Sequence, residues 1–257
     1  MKVYINILGR NIPSYGLFIV LGGTIVNIIA YFIIRRKKLD INDFILLEAY
    51  GFLGAFIGAK LLYLFVNFNE IQWHRLNSLE YISNLMQGGF VFYGGIIGGI
   101  LFAHVASRIY KIRLLDYLNE ILFLIPLGHA FGRAGCFMAG CCYGIPYTGR
   151  FNVVFPENSF ALSGEKLFPV QLIEALGLVI ISLILYLIYN LLHFDIVVEA
   201  YMIIYGTFRL ILENYRYDSS RGIFLFLSTS QWISIVLIMI GIKLLGIKYK
   251  EKRGANL

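Results

Sequence analysis

Charge is scarce in this sequence. Only 14% of its 257 residues are Asp, Glu, Lys or Arg, where soluble domains average about 25%. With 59% hydrophobic residues and a mean hydropathy of +0.75, that scarcity excludes both an ordinary soluble domain and a disordered chain. Cysteine is scarcer still: three residues, Cys136, Cys141 and Cys142, too few and too local for a secreted disulfide framework. Five prolines stand against 26 glycines, a balance that suits close-packed membrane helices. No P-loop, no Gly-x-Gly-x-x-Gly run after a strand and no His-rich metal pair occurs, so neither cofactor nor metal is expected. The spacing Cys-x4-Cys-Cys fits no common zinc pattern. The 22 basic residues outnumber 15 acidic ones, which in so apolar a chain orders the loops and does not indicate nucleic-acid binding.

What is abundant is long apolar runs. A hydrocarbon core about 30 Å thick needs about 20 apolar residues per helix, and seven candidates fit. They lie at residues 14–34, 44–66, 89–107, 114–131, 168–192, 200–213 and 231–246, the sixth short and polar. The expected fold is an all-α polytopic membrane protein. It is a single domain over residues 1–257, with about seven transmembrane helices around a lipid-accessible cavity. The residues before the first run carry Lys2, Arg10 and Pro13, unlike a cleaved signal peptide.

Lys and Arg divide unevenly between the loops. Twelve fall on one side, clustered near residues 35–38, 108–113 and 243–253, and seven on the other, among them Arg150, Arg216 and Arg221. The positive-inside rule then puts the N-terminus outside and the C-terminus in the cytoplasm. The two longest loops, near residues 67–88 and 143–167, face outward, and function is expected on that face.

Three basic residues are assigned to the spans and not to the loops: Lys60, Arg209 and, at the outer end of the fourth run, Arg133. An intramembrane Arg costs a few kcal/mol and so requires a partner or a purpose. His129 precedes Arg133 by four residues and shares its helix face. Tyr205, Arg209 and Glu213 form one stripe at the same spacing. One reading is structural pairing, Arg209 with Glu213 and Arg133 with Glu120 or Glu174. The other is an anion pocket in which two guanidiniums offer bidentate donors to a lipid phosphate. Lys60, beside Tyr63 and Phe65, either snorkels or reaches that pocket. Gly88, Gly89, Gly94 and Gly95 around Phe92 and Tyr93 either pack helices or let backbone approach a ligand. The cysteines read as small buried residues, as a thiolate activated by Arg133 or His129, or as a vicinal redox pair.

Several motifs in one order resemble the bacterial prolipoprotein diacylglyceryl transferases, and the likeness runs along most of the chain. They are Tyr15-Gly16-Leu17, Gly88 through Gly95, Gly132-Arg133-Ala134-Gly135 followed by Gly144, Phe168 through Ala175 with Gln171 and Glu174, Tyr205 through Glu213 with Arg216, and Ser230-Gln231. The resemblance implies transfer of the diacylglyceryl group of phosphatidylglycerol, a membrane lipid, to a cysteine thiol in a prolipoprotein signal peptide, releasing glycerol phosphate. It implies Arg133 and Arg209 as holders of the phosphate, and Tyr15, Gly144, Tyr205, Arg209 and Glu213 match positions that the family uses.

Two departures stand out. The family's His before the paired glycines is Tyr93 here, ahead of Gly94 and Gly95. The Asn, Asn and Glu of its signature are Cys136, Ala139 and Cys141. His129, which the usual pattern lacks, is the candidate replacement base. A paralogue with another acceptor, or with its own cysteine as a covalent way-station, and a non-catalytic lipid-binding protein are the alternatives.

Overall fold

The computed structural model describes residues 2–7, 9–190, 196–217 and 223–254. Arg221 and the last two residues of the fifth expected run, Leu191 and Leu192, lie outside them. The described chain is overwhelmingly helical. Five helices are long and apolar enough to cross a membrane: α1 (Ser14–Arg36), α2 (Ile41–Val66), α4 (Phe92–Ile109), α7 (Val170–Asn190) and α9 (Thr229–Gly254), whose apolar part is Thr229–Glu251. The helices α5 (Leu114–Ile121) and α6 (Leu124–Ala139) are long and apolar enough only when taken together, as a pair bent by 56° that is either one broken span or a re-entrant loop. The stretch expected as the sixth run is the 17-residue helix α8 (Val197–Glu213). Large apolar side chains such as Val20, Phe65, Ile97 and Leu176 are exposed along these helices, as suits a chain whose surroundings are lipid.

Two boundaries differ from expectation for identifiable reasons. The expected run 114–131 breaks at Leu122 and Phe123 because Pro126, in the first turn of α6, has no N–H to return to Leu122; α6 then continues to Ala139. The third span begins at Phe92, not residue 89, because Gly89 is left-handed at φ +68° and the peptide of Val91 donates to Ala59 O, 3.1 Å away.

The chain forms two compact units, residues 31–118 and residues 1–30 with 119–257. In the first, α2 and α4 pack through glycines. A Cβ on Gly54 or Gly58 would overlap the carbonyl oxygens of Gly98 and Gly94, and the reverse holds for Gly94 and Gly98, the close backbone approach that small residues permit. Asp40 caps α2, its carboxylate accepting from Asn42 N at 2.7 Å. The short α3 (Leu79–Gln87) lies in the loop expected at residues 67–88.

In the second unit α7 lies between α6 and α8, and α8 packs on α9. Glycine again sets the spacing: Gly177 meets the Phe208 ring, and Gly206 and Gly241 are tight where α8 meets α9. Among the described residues three two-stranded antiparallel pairs complete it: β1 (Tyr4–Ile7) with β2 (Arg10–Pro13), β3 (Val153–Val154) with β4 (Lys166–Leu167), and β5 (Ile223–Phe224) with β6 (Leu227–Ser228). None was legible as alternating apolar residues, being too short to show a period.

Candidate active site

Helix geometry brings the intramembrane charges of the second unit together. Spacing of three puts Gln171 and Glu174 on one face of α7; spacing of four does the same for His129 and Arg133 on α6, and for Tyr205, Arg209 and Glu213 on α8. Glu174, 1% exposed, is the hub. Its Oε1 lies 3.1 Å from Arg133 Nε and 3.2 Å from Arg209 Nη1, which also donates to Oε2 at 3.2 Å. Arg209 Nη2 reaches Glu213 Oε2 at 2.8 Å and Ser230 Oγ at 3.3 Å. Of the two pairings expected for Arg133, Glu174 is the one formed, while Glu120 instead accepts from the Tyr189 hydroxyl at 2.7 Å.

Two guanidiniums and two carboxylates cancel, which is what lets so much charge sit in a membrane. Arg133 is nevertheless not used up. Its Nε serves Glu174 and, at 3.3 Å, His129 Nε2. Among the described residues neither Nη1 nor Nη2 has a hydrogen-bond partner. Fixed at Nε, the guanidinium therefore presents the edge that binds a phosphate in bidentate fashion. The Nε2 of His129 accepts from Arg133, so in the neutral ring Nε2 is the nitrogen with the lone pair and Nδ1 carries the hydrogen. Tyr205 stands edge-on to the His129 ring with centroids 5.8 Å apart, and Tyr201 stacks on Tyr205 at 5.6 Å.

The cysteines adjoin this cluster. Helix α6 ends at Gly140, left-handed at φ +77°, and the chain turns back so that Cys141 N donates to Cys136 O at 3.1 Å. Cys142 follows, also left-handed at φ +55°. The turn carries all three Sγ atoms within 4.8 Å of one another, with no disulfide between them. Cys136 is buried, whereas Cys141 and Cys142 are partly accessible. Gln171, 1% exposed, donates Nε2 to Cys141 O at 2.9 Å, and its Oε1 has no partner among the described residues. The Cys142 thiol is held well below the usual thiol range by hydrogen bonds from Cys136 and Cys141, with the cations of Arg216 and Arg133 adding to the effect. Cys141 is pushed the opposite way by those same hydrogen bonds and by burial.

Gly144 holds the next stretch in place. Its bridge to Arg216, with Ile145 N to Tyr215 O at 3.0 Å and Phe168 N to Ile145 O at 2.9 Å, threads the loop between two neighbours. A Cβ at Gly144 would overlap Phe168 O and come within 2.9 Å of Tyr215 O. Tyr15, near the start of α1, is placed by Gly135, whose Cβ would lie 3.2 Å from Tyr15 O.

The remaining candidates belong to the other unit. Lys60, 5% exposed, donates to Leu85 O, to Gly88 O at 2.6 Å and to Gly89 O at 3.4 Å, with its ammonium 4.9 Å and 5.0 Å from the Tyr63 and Phe90 ring centroids. It does not snorkel; it ties down the end of α3. Tyr93 opens α4, its ring 5.9 Å from Phe92, and Gly94 packs on Gly58. Gly95 is in ordinary contact with Ala55 and Ala59.

Two features were marked in the sequence only by their place in a motif, not by their chemistry. Arg216, counted as a loop cation, is only 7% exposed; its pairing with Gly144 across 72 residues has no local signal. Ser230 joins Arg209 from α9, and only its position in a motif marked it.

A family model for prolipoprotein diacylglyceryl transferase matches residues 2–247. The chain is 34% identical over 246 residues to the phosphatidylglycerol–prolipoprotein diacylglyceryl transferase of Clostridium tetani, covering 93% of this chain and 94% of the relative. It is 33% identical over 252 residues to phosphatidylglycerol–prolipoprotein diacylglyceryl transferase 2 of Clostridium perfringens, covering 96% and 95%. A transferase of the same name from Finegoldia magna is 29% identical over 254 residues, covering 98% and 96%.

Proposed function

The chain belongs to the prolipoprotein diacylglyceryl transferase family, and from that premise we propose that it moves the diacylglyceryl group of phosphatidylglycerol onto a prolipoprotein thiol, releasing glycerol phosphate. The acceptor is the lipobox cysteine of the signal peptide. The observation that carries this reading is Arg133, whose Nε is held by Glu174 while Nη1 and Nη2 are left for another acceptor. That is a donor edge for a phosphate diester, set in a membrane where the diester arrives attached to a lipid.

The reaction breaks the bond between the glyceryl carbon and a phosphate oxygen, so negative charge grows on the departing glycerol phosphate. Arg133 binds that phosphate. Arg209, locked by Glu174 and Glu213, supplies a second fixed cation, and a charge already oriented needs no reorganisation in the transition state. Glu174 positions both. Glu213 holds Arg209, and Tyr205 lines the same face of α8. Tyr15 and Gln171 serve the lipid glycerol and acceptor backbone, Gln171 through its Oε1. Cys136 and Gly144 complete the substrate-facing turn. His129 takes the proton of the acceptor thiol at Nε2, the nitrogen that has the lone pair, in place of the family's usual histidine, which is Tyr93 here. Tyr93, Lys60, Gly94 and Gly95 serve substrate within the other unit, and the family match over residues 2–247 supports treating the chain as one transferase domain.

The basic clusters at residues 35–38, 108–113 and 243–253 support an orientation with the N-terminus outside and the C-terminus in the cytoplasm. The test of function is transfer itself. Purified protein with phosphatidylglycerol and a lipobox peptide should release one glycerol phosphate for each peptide that gains the diacylglyceryl mass, and Arg133→Ala should abolish both signals.

A further inference from the structure

Two of the three thiols, Cys136 and Cys141, stand where the family signature carries polar side chains, and the geometry of the three asks for more than packing. Their Sγ atoms lie within 4.8 Å of one another, although the spacing Cys-x4-Cys-Cys led to no expectation of a metal. The zinc–thiolate bond is about 2.3 Å, so sulfurs sharing a tetrahedral ion sit about 3.8 Å apart, within about 1 Å of the arrangement seen. The donors come from a helix end and the turn after it, and the turn is fixed: Gly140 caps α6, and Gln171 clamps Cys141 O at 2.9 Å. Such outer contacts hold ligands in place. Arg133 and Arg216 lie close enough to act electrostatically on Cys142. A divalent ion with three thiolates carries one net negative charge, which the field of nearby guanidiniums favours.

We propose that Cys136, Cys141 and Cys142 bind a thiophilic divalent ion of the zinc class and that its open fourth position takes the acceptor thiolate. No fourth protein ligand joins the group among the described residues. Three protein ligands with one vacant position is the pattern of a reactive zinc and not of a purely structural one. Soft thiolate donors also discriminate against magnesium and calcium. Cys141 and Cys142 are partly accessible, so the ion can be approached from outside the helix.

The second half of this proposal rests on the transferase reading; the first half does not. A thiol that coordinates zinc loses its proton. The peptide S–H gives that proton to His129 and then to water as the sulfur–metal bond forms. The sulfur then uses an electron pair to attack the glyceryl carbon, the carbon–oxygen bond breaks, and its electrons leave on glycerol phosphate. The thioether formed is a poor ligand and departs, returning the open position. No oxidant or reductant is required.

The test uses the full chain in detergent, reduced, loaded with zinc and desalted, with metal per chain read by mass spectrometry and free thiols by titration. About one zinc per chain is expected. Cys141→Ser and Cys142→Ser, both outside the helix, should lower occupancy at least tenfold while the protein still elutes as a folded species. The cobalt-loaded protein should show thiolate-to-cobalt absorption. That band should grow, and the visible bands shift, on adding a lipobox peptide but not its cysteine-to-serine form. Absence of retained metal with three titratable thiols, or a disulfide in their place, overturns the site, and active metal-free protein leaves the transferase reading standing. A cobalt spectrum indifferent to the peptide thiol overturns the open position. Metal bound and responsive without glycerol phosphate release sinks the transferase reading alone.

Discussion

Glu174 grips Arg209 with both carboxylate oxygens, each 3.2 Å from Nη1, and does so from 35 residues away at 1% exposure. The same carboxylate orients Arg133. One acid thus sets the positions of two cations, and four charges cancel inside the membrane.

Glu174→Gln keeps the shape of that hub and removes its charge. Breaking a buried pair by neutralising one partner costs about 3–5 kcal/mol; here Arg133 loses its carboxylate, and Arg209 keeps only Glu213. The expected result is a lower thermal midpoint in detergent with transfer reduced about a hundredfold, read by peptide mass. Unchanged turnover would remove Glu174 from its positioning role.

Arg133→Lys preserves charge and discards the Nη1–Nη2 edge. A lysine is a point donor that cannot grip a phosphate in bidentate fashion. kcat/KM for phosphatidylglycerol should fall at least thirtyfold, on the order of 2 kcal/mol of lost transition-state binding, with the protein inserted in the membrane at normal yield. An equal drop in inserted protein would show a structural role instead.

How much of this was visible beforehand depends on range. The buried pairs within a helix, His129 with Arg133 and Arg209 with Glu213, follow from spacing alone. So did the choice of Arg133 and Arg209, since an Arg in an apolar run needs a reason. Glu174 was one of two candidates for Arg133 and was not expected for Arg209, because sequence does not say which helices pack together. The convergence of Cys136 with Cys141 and Cys142 depends on a left-handed residue at Gly140, a turn that spacing rules for zinc sites do not anticipate. Pro126 signalled the break before α6, yet an apolar run on both sides hid it.

His129→Gln tests the proposed base. General-base catalysis contributes about 10²–10⁴-fold, so transfer, read by peptide mass, should fall within that range. Full activity would exclude the assignment.

Gly144→Ala tests the strap between the cysteine turn and Arg216. The added methyl would overlap Phe168 O and press on Tyr215 O at 2.9 Å. Overpacking of this kind costs about 1–3 kcal/mol, so the thermal midpoint should drop by about 2–10 °C. Gly164→Ala, with open space around its Cβ, is the control for a glycine outside the site; its φ of +74° adds only local strain.

At the centre stands the formation of a thioether from a phospholipid and a peptide thiol. The measurement that tests it most directly follows glycerol phosphate and peptide mass together, with purified protein, phosphatidylglycerol and a synthetic lipobox peptide. Equal amounts of both products are predicted, each lost in Arg133→Ala. Glycerol phosphate without a heavier peptide, or neither product from folded protein, would contradict it.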